Sequence, residues 1–221
     1  MTDVGIQFAA AVPINNPLPI SWLGRPDAPP AAPGWANINV LSTTQIKNLL
    51  AQIAYDQSSW SYTEIGTSNQ LGRYQFSTQM LEIYGLLAAG SNAEYGTDCV
   101  NYLNCWKGAL VSNGINTSQN YLYNVGSLSE FLSTHNAQEH LAYQRIVDIY
   151  VTCKNIGSIL DTDPPDYVAG MIYVAWTLSV GSAASATNAS GTGSWAWRYK
   201  NLGNGTNSFN SGRYAVNVLS A

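Results

Sequence analysis

Charge is what this sequence has least of. Asp, Glu, Lys and Arg make up 10% of the 221 residues, against about 25% in an ordinary soluble domain, and Asn, Ser, Thr, Gly and Tyr carry the polarity instead. A surface so poor in like charges suits a subunit packed into a larger assembly or a low-charge secreted domain. The nine basic residues are scattered and the net charge is −4. Such a chain has no electrostatic footprint for gripping phosphates, so nucleic acid is not an expected partner.

Cysteine, histidine and long apolar runs are also scarce. Cys99, Cys105 and Cys153 are an odd number without a CxxC pair, which excludes a full disulfide framework and gives no zinc signature. They read as reduced thiols packed as small hydrophobes, with a Cys99–Cys105 bridge as the alternative in an oxidising compartment. The two histidines, His135 and His140, are five apart and off the spacing of a zinc pair on one helix face; they are expected at the surface or in caps. No metal or cofactor is expected. No segment reaches ~18 uninterrupted apolar residues, and "MTDVGIQFAAAV" lacks a basic stretch before its short apolar run; neither a signal peptide nor a membrane span is expected. Sequons at Asn116, Asn188 and Asn204 read as chance in a chain rich in Asn and Ser. "GNGTNSFNSG" lacks the Lys-Ser/Thr of a phosphate loop, which argues against nucleotide binding.

Proline is present but confined. Seven of the nine prolines lie between residues 12 and 33, in "VPINNPLPISWLGRPDAPPAAP", and proline fixes φ and removes a backbone donor. Residues 1–38 therefore read as an extended arm. Its Ile20, Trp22, Leu23 and Trp35 are too apolar for a linker meant to stay in water, so the arm is expected to dock on its own domain or on a neighbouring subunit. Residues 39–221 read as one domain, with a length that suits a single core.

That domain reads as all-α. Ser42, Thr43 and Thr44 offer caps, and Ile46, Leu49, Leu50, Ile53 and Ala54 share one helical face, in a helix ending near residues 57–59. Further helices are expected from 77 to about 89 with Gly90 as the stop, over 98–112, over 128–134, and from 137 to about 156 with Leu141, Ile146, Val147, Tyr150 and Val151 as the apolar face. In "PPDYVAGMIYVAWTLSVGS", Pro opens a nearly all-apolar run, the pattern of a buried central helix. From 183 to 212 the chain turns to Gly, Asn, Ser and Thr around Trp195, Trp197 and Tyr199.

Two motifs stand at a fixed separation: Gln57-Ser58-Ser59-Trp60 and Gly72-Arg73-Tyr74-Gln75. Together with "NAQEHLAYQRIVDIY" and "VAGMIYVAWTLSVGS" they resemble the lysozyme-like superfamily, in its soluble lytic transglycosylase and goose-type branch, and the versions carried in phage virions most. The family pattern is Glu-Ser-x-aromatic at a helix end, then Gly-x-x-Gln. Residues ~40–200 carry the resemblance, and Gln57 stands where the family has its glutamate.

The resemblance implies a lysozyme-like helical domain meeting peptidoglycan, in a phage tail or baseplate protein made in the host cytoplasm. Its implied partners are other virion subunits and glycan strands. In the family the glutamic acid protonates the glycosidic oxygen and then takes the muramyl 6-hydroxyl proton, or activates water. An amide has no proton to give, so the implied domain is catalytically degenerate. Asp56 is one helical step of ~100° away from the face of Gln57. Glu64, seven residues on in the loop, is the possible substitute; the alternative function is then an active lytic transglycosylase or muramidase using Glu64. The plain reading of Glu64 is a solvated charge or a partner for Arg73. Ser58, Tyr74, Gln75, Ala175 and Trp176 match sugar-cleft positions, Tyr74 and Gln75 reading equally well as packing under the loop. Trp60 reads as core, and Trp176 as bulky enough to narrow the groove.

Overall fold

The computed structural model describes residues 36–38, 40–108, 125–178 and 206–217. The arm up to residue 35, and Trp195, Trp197 and Tyr199, lie outside them. The described residues are mainly helical and form no sheet, only isolated β-bridges, as the all-α reading expects. The helices are α1 (Thr43–Ser58), α2 (Thr78–Ile83), α3 (Ser91–Tyr95), α4 (Leu128–Ser133), α5 (His135–Asn155), α6 (Pro165–Thr177) and α7 (Thr206–Asn217). The described residues fall into two compact units, one within 34–53 and 143–221, the other within 54–142. Both boundaries beyond residue 50 fall inside helices, after Ile53 in α1 and after Ala142 in α5.

Helix α1 begins with a reciprocal capping box. The Ser42 N–H donates to Gln45 Oε1 at 2.9 Å and the Gln45 N–H to Ser42 Oγ at 3.2 Å, which satisfies two of the four donors a helix start leaves open. Its expected face, Ile46, Leu49, Leu50, Ile53 and Ala54, is fully buried.

In the first unit, α6 packs on α7. Every residue of α6 from Tyr167 to Trp176 is buried. The two backbones approach closely because glycines face each other's helix: a Cβ on Gly170 would stand 2.6 Å from the Phe209 ring, and one on Gly212 2.5 Å from the Ala169 carbonyl oxygen. Arg213 clamps the contact by donating twice to Asp166 in the first turn of α6, at 2.7 and 2.9 Å. The Gly/Asn/Ser composition of 183–212 gave no sign of α7. Its helix forms because Phe209, Asn210, Ser211, Ala215 and Val216 are buried, tertiary packing overriding weak local propensity.

In α5 the buried stripe runs through Ala142, Ile146, Ile149 and Cys153, with Leu141 and Tyr150 beside it. Val151, expected on the apolar face, is exposed. The 4-3-4 spacing of the observed stripe turns Val147 and Val151 away from it.

The second unit holds a small aromatic core of Phe76, Trp106 and Phe131, with Leu71, Tyr74, Leu81 and Leu87. Two expected helices are shorter here. Helix α2 stops at Ile83 because Gly85, at φ +79°, closes a Schellman turn: Leu86 N–H donates to Leu81 O at 2.8 Å and Gly85 N–H to Glu82 O at 3.0 Å. Gly85, not Gly90, is the stop. The segment expected as a helix over 98–112 is two 3-10 stretches, Gly96–Asn101 and Leu103–Cys105, followed by Trp106 paired with Leu87; its end lies outside the described residues. The bonds Ala88 N–H to Cys105 O (2.8 Å) and Lys107 N–H to Leu86 O (3.0 Å) take up the backbone groups that a continuous helix would need. Cys99, Cys105 and Cys153 are free and buried, and burial pushes the Cys99 and Cys153 thiols up.

Candidate functional site

The site singled out by the sequence lies in the second unit, at the end of α1 and the loop that follows. Gln57, half-buried, is the penultimate residue of α1. Ser58 ends the helix, with its hydroxyl 2.7 Å from the Arg73 carbonyl oxygen and 3.2 Å from that of Ala54. Ser59 and Trp60 follow at φ 51° and 70°. Two consecutive non-glycine residues in the left-handed region cost on the order of 1–3 kcal/mol each, so the sharp exit is held by its surroundings. The Trp60 ring lies 4.6 Å from the Tyr55 ring, and the Trp60 backbone N–H donates to Ala54 O at 3.2 Å. Trp60 is half-buried where the sequence reading had core.

The loop then folds back through isolated β-bridges. Leu71 pairs with both Ile65 and Phe76, and the Glu64 carbonyl accepts from Gly72 N–H at 2.8 Å. Gly72 and Gln75 close a tight turn, with Gln75 N–H to Gly72 O at 3.1 Å and the Gln75 amide Nε2 on the same oxygen at 2.9 Å. Gln75 Oε1 lies against Gly66, where a Cβ would come within 2.5 Å of it. The two motifs are thus joined: helix end, Glu64 backbone and Gly72–Gln75 turn form one connected piece of chain.

Beneath it lies a buried polar cluster that α5 supplies. Gln138 Oε1 accepts the Arg73 backbone N–H at 2.8 Å, and its Nε2 donates to the Tyr62 and Phe131 carbonyls at 3.0 Å each. Glu139 accepts from the Tyr62 hydroxyl at 2.7 Å and the Tyr74 hydroxyl at 2.6 Å, and its Oε1 stands 3.4 Å from Arg73 Nε. The Arg73 and Glu139 side chains are both sealed from solvent. Arg73 Cζ also lies 4.7 Å from the centre of the Tyr62 ring, and the His135 ring stacks on Tyr62 at 3.8 Å, nearly parallel. Burial, then the Glu139 charge, raises the Tyr74 phenol well above its ordinary value, and the same causes raise Tyr62. Both stay protonated and donate to Glu139.

These contacts revise several sequence readings. Tyr74, expected to line a sugar groove, is 1% exposed with its hydroxyl on Glu139; its packing reading is the one that fits. Arg73 pairs with Glu139, not with Glu64, which is exposed. The Ser58 hydroxyl is engaged by backbone carbonyls. Gln75 is half-buried at the turn and Asp56 half-buried in α1. Ala175 and Trp176 belong to the first unit, buried in α6. There Arg145 donates to the Trp176 carbonyl at 3.0 Å and stands 4.3 Å from its ring.

Gln138 and Glu139 entered the sequence reading only as part of the block that carries the resemblance, without a site role, and Tyr62 did not enter it. Their signal was a Gln-Glu pair between Ala137 and Leu141 on a helix otherwise buried there. A carboxylate so enclosed holds structure together; the chemistry open to solvent at this site is that of Gln57, Glu64 and Gln75. Among the described residues no group of three His, Cys, Asp or Glu side chains is placed to hold a metal ion, and no helix is long and apolar enough to cross a membrane.

No family model, no curated protein and no solved structure matches this chain.

Proposed function

We propose that the protein is a phage tail or baseplate component whose lysozyme-like domain meets host peptidoglycan without efficiently cutting it. One observation carries the reading: the 2.7 Å contact from the Ser58 hydroxyl to the Arg73 carbonyl, which holds the helix end bearing Gln57 against the Gly72–Gln75 turn. Residues from two motifs matched only by spacing thereby meet, with an amide where the resembling enzymes carry their acid. Gln57 has the volume of a glutamic acid and no titratable proton, and loss of general acid catalysis costs ~10²–10⁴-fold. The low overall charge and the Pro-rich arm fit a subunit among other virion proteins.

A second reading, an active lytic transglycosylase or muramidase using Glu64, is favoured by one contact. The Glu64 carbonyl is tied to Gly72 N–H at 2.8 Å, which keeps an exposed carboxylate on the same loop as Gln75. Release of soluble fragments from purified peptidoglycan tests both. Binding to the sacculus with negligible release is expected. Robust release that disappears in Glu64→Ala overturns the first reading in favour of the second, and a protein that neither binds nor cuts overturns both.

A further inference from the structure

The second unit carries an apolar face that the glycan reading does not use. Leu103 is 64% exposed and Ile83 71% exposed. A notch of about 360 Å³ opens at Leu103, lined also by Val100, Leu128 and Leu132 with Ser127 and Ser129. Tyr102 lies in the chain between two lining residues, Asn101 and Leu103. Its ring pairs with that of Tyr95 at 5.1 Å and 43°, both tyrosines being exposed. Glu94, next to Tyr95, is exposed as well, while the Glu82 carboxylate is engaged in holding the Gly90 and Asn92 N–H groups at the start of α3. The face thus combines a tyrosine pair and an aliphatic notch, with the Glu94 carboxylate beside the pair.

A segment of this chain has the complementary chemistry. Residues 25–33 read Arg-Pro-Asp-Ala-Pro-Pro-Ala-Ala-Pro. Prolines 26 and 29, and again 30 and 33, are three apart, which puts each pair on one edge of a polyproline II helix of three residues per turn. Paired tyrosine rings accept such an edge, and the ligand's preset φ angles lower the entropy lost on docking. Arg25 supplies a cation for the exposed Glu94 carboxylate, which already holds the Tyr95 hydroxyl, and Trp22 or Leu23 supplies the bulk for the notch.

We infer that the Pro-rich arm of a second copy of this chain docks on the Tyr95–Tyr102–Leu103 face, with Arg25 against Glu94. The described chain begins at Ala36, whose backbone N–H and carbonyl are both held by the Tyr143 hydroxyl, at 3.1 and 3.2 Å. Arg25 lies eleven residue steps before that anchor, a reach of about 34 Å as polyproline II, about the diameter of a small domain. The motif therefore extends far enough to reach a neighbour, and repeated head-to-tail docking of arm on face builds rings or filaments.

Sedimentation of the full-length chain tests this. The wild type is expected to associate reversibly. Leu103→Glu, Arg25→Glu and Glu94→Arg should each shift the association midpoint about ten-fold or more upward in concentration, whereas Arg25→Glu with Glu94→Arg in one chain recovers most of the loss. Mixing the Leu103→Glu chain, whose arm is intact, with the Arg25→Glu chain, whose face is intact, should give a heterodimer. Leu103 and Glu94 lie outside the helix-end and loop contacts of the second unit and are exposed, and the near-ultraviolet circular dichroism of each variant should match the wild type. A chain that stays monomeric at every concentration, or an assembly unmoved by Leu103→Glu, overturns the inference. Failure of the mixture to pair also overturns it, because an arm docked on its own chain cannot complement in this way.

Discussion

Gln138 and Gly72 fit as side chain and gap: the Gln138 amide oxygen occupies the space that a Cβ on Gly72 would need. Gly72 also sits at φ +72°, so both its missing side chain and its backbone angle are required at the turn that carries Arg73, Tyr74 and Gln75. A substitution there would displace the amide that holds the Arg73, Tyr62 and Phe131 backbones.

Gly72→Ala is expected to destabilise the protein by about 3 kcal/mol or more, combining strain with lost buried hydrogen bonds. Gly90→Ala is the control. Its φ is +88° but nothing lies within 4 Å of its would-be Cβ, so the backbone term alone applies, about 1 kcal/mol. Urea unfolding of both variants measures the difference, and equal losses would show that the Gln138 contact contributes nothing.

Glu139→Gln is expected to cost about 3–5 kcal/mol, because it leaves Arg73 buried without its counter-charge. Tyr62→Phe removes one donor to the same carboxylate and should cost about 1–3 kcal/mol. The two losses share a partner, Glu139 Oε1, so in the double variant they should fall short of additivity. Chemical denaturation of the four-member cycle reads the coupling, and strict additivity would separate Tyr62 from the cluster.

The outline of the fold was legible where local pattern and burial agree. The face of α1 from Ile46 to Ala54, a cap among Ser42, Thr43 and Thr44, and the apolar run of α6 all follow from residue type and spacing. The stop of α2 was misplaced by five residues because both Gly85 and Gly90 adopt positive φ, and only the bond from Leu86 to Leu81 tells which one ends the helix. The cluster under the loop was not legible, since Arg73 and Glu139 are far apart in the chain and become partners only after folding. Sequence spacing placed Gln57 at a helix end and the Gly72 motif beside it, but left Tyr74 open between groove lining and packing, and only the folded chain shows its hydroxyl on the buried Glu139.

Stability should fall as the solution is acidified through the histidine range. Burial, then the nearby Arg73 charge, holds His135 below its ordinary value of 6.5, and burial alone does the same to His140. A base with a depressed folded pKa binds its proton first in the unfolded chain. Its contribution is therefore complete above about pH 6.5 and is lost as pH falls toward the folded value. Unfolding free energies between pH 7.5 and 5 should decline, and His135→Gln with His140→Gln should flatten that part of the profile. A slope unchanged in the double variant would assign the decline to carboxylates.

Ser58→Ala removes the hydroxyl contact to the Arg73 carbonyl, leaving a part-buried acceptor with one partner fewer. The expected loss is about 1 kcal/mol, a fall of about 2–4 °C in Tm for a chain of this size. Binding to the sacculus should weaken in the same variant, since under the proposed function this contact orders the helix end against the turn. Unchanged glycan binding in a destabilised Ser58→Ala protein would mean that glycan is held elsewhere on the molecule.

Gln57→Glu is expected to raise cleavage of peptidoglycan above the parent, toward the ~10²-fold that a positioned general acid contributes at the low end. The side chain is nearly isosteric with glutamine and half-buried at the end of α1, and partial removal from water favours the protonated carboxyl that the leaving sugar oxygen needs. The gain should carry a pH dependence with a falling limb on the alkaline side, as the new acid ionises, and no such limb should appear in Gln57→Ala. Combining Gln57→Glu with Glu64→Ala separates the two carboxylates: cleavage that survives the loss of Glu64 belongs to position 57, whereas cleavage that vanishes with it makes Glu64 a participant and favours the second reading. A Gln57→Glu protein that folds normally, binds the sacculus and cuts no faster than the parent would show that more than the acid has been lost. The Tyr74–Glu139 bond accounts for such a result, because it keeps inside the core an aromatic side chain that an open sugar groove would present to its ligand.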